Sequence, residues 1–280
     1  MDATELAVWQ GRPVEAWRSA WRLPALRVFH TVGSTNDLAR TMAAAGAAEG
    51  SLVVAEEQTA GRGRLGRRWS SPAGASLSLS MVLRPGDVAH WTPALTLRLG
   101  LAAAEAIETV LPVDIAIKWP NDLVALPGKP ATRRGAGRKL AGILCEGDIL
   151  GDRINHVIAG IGVNLAQHDD DWPPELAGRA TSLAAAAGAK PDVPRLVGGL
   201  AEGWIRVAAS AGAELDPDEL DRLQRRDRLR DRDVRVDGRP VGTAAGISPR
   251  GGLLVRSGGE LREIIAGTVR LEHDELGGPT

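Results

Sequence analysis

Residues 61–81, GRGRLGRRWSSPAGASLSLSM, decide between two quite different folds. The opening glycines Gly61, Gly63 and Gly66 satisfy G-x-G-x-x-G, the fingerprint of a dinucleotide-binding turn, which requires a strand before it and a helix after it. An apolar run, Leu52-Val53-Val54, supplies the strand. No helix follows. Arg67, Arg68, Trp69, Ser70, Ser71 and Pro72 lead into a serine/apolar alternation from Ser76 to Met81, and a period of two reads as strand. The doubly wound reading is therefore set aside, and a Walker A loop is excluded because Gly-Lys-Ser/Thr occurs nowhere in the chain. What remains of residues 61–68 is four arginines on a backbone opened by three glycines. Glycine lets amide N–H groups approach a ligand closely, and each guanidinium offers a fork of donors matched to a phosphate or carboxylate. A solvated basic turn is the plainer reading of the same letters.

Working outward, the chain of 280 residues has room for one sizeable domain and a small one, with 44% apolar and 25% charged residues, ordinary for a globular protein. The net charge of -1 argues against general binding to nucleic acid or to acidic membranes, so the arginines are a local feature. The single cysteine, Cys145, lies in an apolar run and reads as a small buried residue, and the five scattered histidines form no metal-binding pattern with it. Neither a signal peptide nor a transmembrane stretch is legible, which points to a cytoplasmic protein.

Residues 1–27, with Trp9, Trp17 and Trp21, are too short for an independent or winged DNA-binding module and are expected to pack on the body. From Val28 onward, strand-like runs (28–31, 51–57, 75–84, 114–119, 139–146, 156–164) alternate irregularly with alanine-rich helical stretches at 36–46, 92–111 and 192–211. Several strands follow one another directly, so an α+β domain with a mainly antiparallel or mixed sheet is expected. The region between Leu126 and Lys139 reads as an inserted loop. Residues 216–233 read as a mixed-charge surface helix leading out of the main domain. Beyond it, short runs at 234–236, 241–247, 253–255 and 261–265 are separated by Asp237-Gly238, Gly251-Gly252 and Gly258-Gly259, hairpin signals that suggest a small barrel. The expected organisation is an N-terminal segment 1–27, a domain 28–228, a small barrel 229–272 and a tail 273–280.

Four further segments carry chemical potential beside a plainer meaning. Ser34, Thr35 and Asn36 precede a helix and taken singly read as caps. Gln58 could simply hold a turn. Lys118, Asn121 and Asp122 sit with Trp119 and Pro120 at a strand end, where sites are built but where Pro-Asn-Asp is also turn chemistry. Lys139 opens the apolar strand LAGILCE, where a lysine is usually solvated. Gly160, Gly162 and Asn164 in GIGVNL form a β-run without bulk, suited to close packing or to a ligand lying on the backbone.

In order and spacing, GSTN (33–36), EEQTAGRGRLGRRW (56–69), SLSLSMVLRP (ending at Pro85), KWPNDL (118–123), KLAGIL (139–144) and GIGVNL (160–165) closely resemble the biotin protein ligases. The resemblance covers residues 28–165 and implies an α+β, mixed-sheet catalytic domain of the biotin/lipoate ligase type followed by a small SH3-like β-barrel. It further implies an ATP-dependent, AMP-forming enzyme: biotin and ATP give biotinyl-5'-AMP and pyrophosphate, and biotin then passes to one lysine of a biotin carboxyl carrier domain of an acyl-CoA carboxylase.

Residue roles follow from the same resemblance. Ser34, Thr35, Asn36 and Gln58 would hydrogen-bond the ureido ring of biotin, with Gly142 leaving room for its apolar rings. Arg62, Gly63 and Arg64 would close over the carboxylate and phosphate, and Lys139 would contact the carboxyl oxygen and α-phosphate. Arg62, Arg64 and Lys139 are thus the catalytic set. Trp69 would cover adenine and Asn164 bond its edge, with Arg67, Lys118, Asn121 and Asp122 near the phosphates and Mg2+ near Asp122. A loop so rich in glycine and like charge is expected to close only when an anion binds. No structural metal, nucleic acid or membrane partner is expected, no repressor role, and a monomer or homodimer. Two other readings compete: a lipoate or octanoyl ligase or transferase of the same superfamily, and an arginine-loop RNA-binding module, which the lack of tyrosine and the single phenylalanine disfavour.

Overall fold

A computed structural model describes residues 3–85, 93–127, 137–151, 153–210 and 212–271. Most of the inserted loop between Leu126 and Lys139, and the tail from 273, lie outside the described residues. The chain opens with short strands β1 (Thr4–Glu5), β2 (Val8–Trp9) and β3 (Arg12–Pro13) and helix α1 (Val14–Ala20), then β4 (Leu26–Val32), α2 (Thr35–Ala44), β5 (Leu52–Gln58) and β6 (Ser76–Leu83). There follow α3 (Pro93–Val110), β7 (Asp114–Lys118), β8 (Asp122–Leu126), β9 (Arg138–Leu150), β10 (Arg153–Asn164), α4 (Leu183–Ala187), α5 (Val193–Ser210) and α6 (Pro217–Arg226). The final strands are β11 (Asp233–Val236), β12 (Arg239–Ile247), β13 (Leu253–Ser257), β14 (Glu260–Ile264) and β15 (Val269–Leu271).

Eight strands form one mixed sheet in the order β1-β4-β5-β6-β10-β9-β8-β7, in which only the β4–β5 pair is parallel. Pleating sorts their side chains. Leu77, Leu79, Met81 and Leu83 of β6, with Val157, Ala159, Ile161 and Val163 of β10, point to the face covered by α3 and α5, where the main core lies. On the opposite face Val53, Ala55, Val82 and Ile158 meet Ala39 and Ala43 of α2. That helix covers only part of this face. The remainder of this face, on β6, β9 and β10, carries Ser76, Ser78, Ser80, Gly142, Gly160 and Gly162, small residues of which the three glycines line a cavity above the sheet. The serines of β6 are buried, so both faces of this alternating strand are closed from solvent.

The C-terminal strands make a separate five-stranded antiparallel sheet, β14-β13-β12-β11-β15, in agreement with the small SH3-like unit expected. Three differences from the sequence reading have plain causes. The strand expected over 114–119 stops at Lys118, because Pro120 and Asn121 turn the chain into β8, which pairs back on it. The helix expected over 216–233 ends at Arg226. Asp216 starts it with a reciprocal capping box to Glu219, but Asp227 is extended and Leu229 leaves the helix to enter the core, fully buried. The N-terminal segment adds β1 to the sheet edge, with Trp9 buried and its Nε1 donating to Glu56 Oε1 at 3.1 Å.

Candidate functional site

Above this part of the sheet lies a cavity of about 670 Å3, and every residue given a site role from the sequence lines it: Ser34, Thr35, Asn36, Gln58, Arg62, Gly63, Arg64, Arg67, Trp69, Lys118, Asn121, Asp122, Lys139, Gly142 and Asn164. They come from five separate stretches of chain, brought to one wall-and-floor arrangement by the strand order.

One polar cluster is built at the start of α2. Ser34 occupies the N-cap position yet makes no side-chain capping bond, so the plain capping reading does not hold for it. Instead Thr35 donates from its backbone N (2.7 Å) and its hydroxyl (3.0 Å) to Gln58 Oε1, tying the helix start to the end of β5. Ser80 Oγ sits 2.7 Å from Thr35 Oγ1 and 2.6 Å from Asn36 Oδ1. The Asn36 amide donates to Glu146 Oε2 at 2.6 Å. Asn36 can lie flat against β10 only because residue 160 is glycine: a Cβ there would stand 2.1 Å from Asn36 Oδ1.

The arginine stretch is a hairpin. Gly63 N donates to Arg67 O at 2.7 Å and Trp69 N to Gly61 O at 2.9 Å, with Leu65 and Gly66 at the tip in left-handed backbone (φ 57° and 72°). Two successive positive φ values are those of a tight type I′ turn, which glycine accepts freely and leucine seldom does. The sequence suggests a loop open until an anion orders it; here three of its arginines already have protein partners. Arg62 grips Asp37 through both terminal nitrogens at 2.7 and 2.6 Å, while Arg64 and Arg67 reach Gly267 O and Thr268 Oγ1, each at 3.4 Å. Hydrogen bonding to Arg62 and then Arg40 draws the Asp37 carboxyl below its ordinary range, and burial draws Arg64 down among guanidiniums.

Trp69 ends the hairpin with its indole laid on β10, where a Cβ at Gly162 would come within 2.2 Å of the ring. The glycines of GIGVNL thus serve close packing of two site side chains. The buried Trp69 Nε1 has no hydrogen-bond acceptor among the described residues. Lys139 Nζ stands 5.6 Å from the Trp69 ring centroid, within cation–π range, and 2.7 Å from Asp122 Oδ1. Asn121 gives its amide hydrogen to Ile143 O at 2.7 Å, leaving its carbonyl oxygen as an acceptor, and Asn164 donates to Thr181 O at 3.0 Å. The cavity therefore has a cluster of hydrogen-bonding side chains at the start of α2, and its lining also includes Arg64, Arg67, Lys118 and Lys139, of which Lys139 faces the indole. That arrangement suits a ligand that carries a neutral polar ring together with anionic groups and an aromatic ring.

Sequence reasoning missed several contributors. Ser80 was signalled by the serine alternation of β6. Asp37, Arg40 and Glu146 look like surface charges in sequence, and nothing local marks Arg228, Thr268, Val269, Arg270 or Leu271, which line the cavity from far along the chain.

Comparison with known proteins agrees with this geometry. The Biotin/lipoate A/B protein ligase family model matches residues 28–164. A bifunctional ligase/repressor BirA of Bacillus spizizenii is 42% identical over 161 residues, covering 58% of this chain and 46% of its own length. The chain thus spans about half of that relative. The BirA of Salmonella typhimurium is 31% identical over 234 residues, 81% of this chain and 68% of its own. The solved biotin protein ligase of Aquifex aeolicus in complex with biotin and ATP is 26% identical and superposes with a TM-score of 0.68 over 89% of this chain and 99% of that one. Fold, motif order and relatives concur: the chain belongs to the Biotin/lipoate A/B protein ligase family.

Proposed function

We propose that this chain joins biotin to ATP, forming biotinyl-5'-AMP with release of pyrophosphate, and then transfers the biotinyl group to one lysine of a biotin carboxyl carrier domain. The observation that carries this reading is the convergence of all fifteen motif residues on one cavity, which joins neutral hydrogen-bonding side chains with several cations. In the first step a carboxylate oxygen of biotin attacks the α-phosphorus and the bond to pyrophosphate breaks. Two anions must meet, so Arg62, Arg64 and Lys139 act by offsetting their repulsion and stabilising charge that grows on the phosphates. In the second step a lysine amine attacks the acyl carbon, AMP departs, and the amine loses a proton. The protein need form no covalent intermediate.

Ser34, Thr35, Asn36 and Gln58 are assigned to the ureido group, whose buried polar atoms need partners. Gly142 leaves room beside them for the apolar rings. Trp69 is assigned to adenine, with Asn164 at its edge. Mg2+ would enter with ATP, and the hard oxygens of Asp122 and Asn121 suit it. Bound there, it would lower the charge barrier between the two anionic reactants. Domain limits of 28–228 and 229–272 and a cytoplasmic setting complete the reading; no described helix is long and apolar enough to cross a membrane.

Incubation with biotin, Mg2+-ATP and a purified carrier domain is expected to add the mass of one biotinyl group to a single carrier lysine. An unmodified carrier, or modification by lipoate or octanoate in place of biotin, would overturn the assignment.

A further inference from the structure

The hairpin arginine named first in the motif is already engaged. Arg62 binds the Asp37 carboxylate through two near-parallel hydrogen bonds of 2.7 and 2.6 Å, the fork-to-fork geometry in which a guanidinium takes any carboxylate. Arg62 lines the cavity, and the proposed function assigns its guanidinium to the acid of biotin. One guanidinium fork cannot hold both in that geometry. Asp37, however, does not depend on Arg62 alone. Arg40 Nη1 donates to Asp37 Oδ1 at 2.7 Å, and Asp37 lies in the first turn of α2, where the helix dipole favours a carboxylate. Arg40 is in turn fixed from its other nitrogen by Glu146 Oε2 at 2.9 Å. Losing Arg62 would therefore leave Asp37 still paired with Arg40. Within the cluster, Arg40 and Arg62 balance Asp37 and Glu146, so Arg62 presents no excess positive charge to an approaching anion.

We propose that Asp37 is an internal stand-in for the acid of the ligand: a positioning residue that holds Arg62 at the cavity in the free protein and surrenders it, while kept by Arg40, when a carboxylate arrives. This rests on the assignment of Arg62 to the biotin carboxylate. It makes Asp37 a determinant of how tightly the acid group is held, acting only through Arg62, and gives Arg40 the opposite effect. Removing the Asp37 charge frees Arg62 and lifts a nearby negative charge from the anion site. Removing Arg40 leaves Arg62 as the remaining cation of the cluster for Asp37 and Glu146.

The test is calorimetric titration of the full chain and of the Asp37→Asn and Arg40→Gln variants with two probes, biotin and biotin methyl ester, which lacks the acid. Asp37→Asn is expected to bind biotin about two- to fivefold more tightly, the range expected for one partly exposed ion pair, and Arg40→Gln more weakly, with methyl ester affinity equal in all three proteins. A merely structural role for Asp37 would weaken both probes together. Unchanged or weaker biotin binding by Asp37→Asn, equal change with the ester, or no loss in Arg40→Gln would overturn the proposal while leaving biotin binding by the unmodified chain intact. Failure of the unmodified chain to bind biotin would instead sink the assignment of the site, and this inference with it.

Discussion

Gly162 has no side chain because Trp69 lies where one would go. An alanine Cβ would sit 2.2 Å from Trp69 Cε2 and 2.3 Å from its Nε1, a distance no ring tolerates, so the indole must move off the sheet and away from Lys139. Overpacking of this kind costs about 1–3 kcal/mol. Gly162→Ala is accordingly expected to weaken binding of biotinyl-5'-AMP at least about tenfold, the equivalent of roughly 1.4 kcal/mol, in a competition titration; affinity within twofold of the parent chain would show that Trp69 takes no part. Cys145 gives a second expectation at this scale. It packs toward α3, where burial pushes its thiol from 9.0 up to about 11. A raised pKa in the folded state means the protein favours the neutral thiol, so this contribution to stability is intact below pH 9.0 and is lost as pH climbs through about 11. The melting temperature of the parent chain should fall more steeply over that window than that of Cys145→Ala. Parallel curves would contradict the assignment.

Among the elements, α3 and α6 are held together by one buried cation. Arg98 is 4% exposed, and its Nε donates to both Glu219 oxygens at 2.9 and 3.0 Å, Nη1 to Gly212 O at 2.6 Å, and Nη2 to Glu214 O. Deleting one member of a buried pair leaves the other desolvated and unpaired, at a cost of about 3–5 kcal/mol. Arg98→Met should lower the urea midpoint by a corresponding amount; a loss under about 1 kcal/mol would place the pair among ordinary surface bridges. In sequence, Arg98 is one arginine inside the apolar helix LTLRLGLAAA, and nothing there names Glu219 as its partner. Elements with local causes were legible: the alternation at 76–81 gave β6, the alanine-rich stretch gave α3, and the Asp-Gly and Gly-Gly pairs gave the C-terminal hairpins. Strand β8 was hidden because Asp122–Leu126 is short and follows a turn that reads equally well as a loop. The overlong helix after Asp216 arose because burial of Leu229, a tertiary event, overrides a charge pattern that continues past Arg226.

For the whole molecule, the site is closed by contacts that join distant segments. Trp119 Nε1 donates to Gly251 O at 2.8 Å, Ala94 N to Arg250 O at 3.2 Å, and Arg228 N to Ile117 O at 2.9 Å, seating the C-terminal sheet against the strand end that carries Lys118, Asn121 and Asp122. Residues 268–271 thereby reach the cavity. Short motifs revealed the part of the cavity lining that lies between residues 34 and 164, because their spacing is local. The contribution of the C-terminal sheet depends on which of many possible surfaces docks where, and no local pattern encodes that. The central claim is that these surfaces together surround a reaction between an acid and ATP. Its most direct test is to supply the chain with biotin and Mg2+-ATP in the absence of any acceptor and count pyrophosphate. The arrangement predicts a rapid release of close to one equivalent per chain, matched by biotinyl-5'-AMP retained on the protein and abolished when biotin is omitted. Pyrophosphate that fails to appear, or that appears equally without biotin, would contradict it.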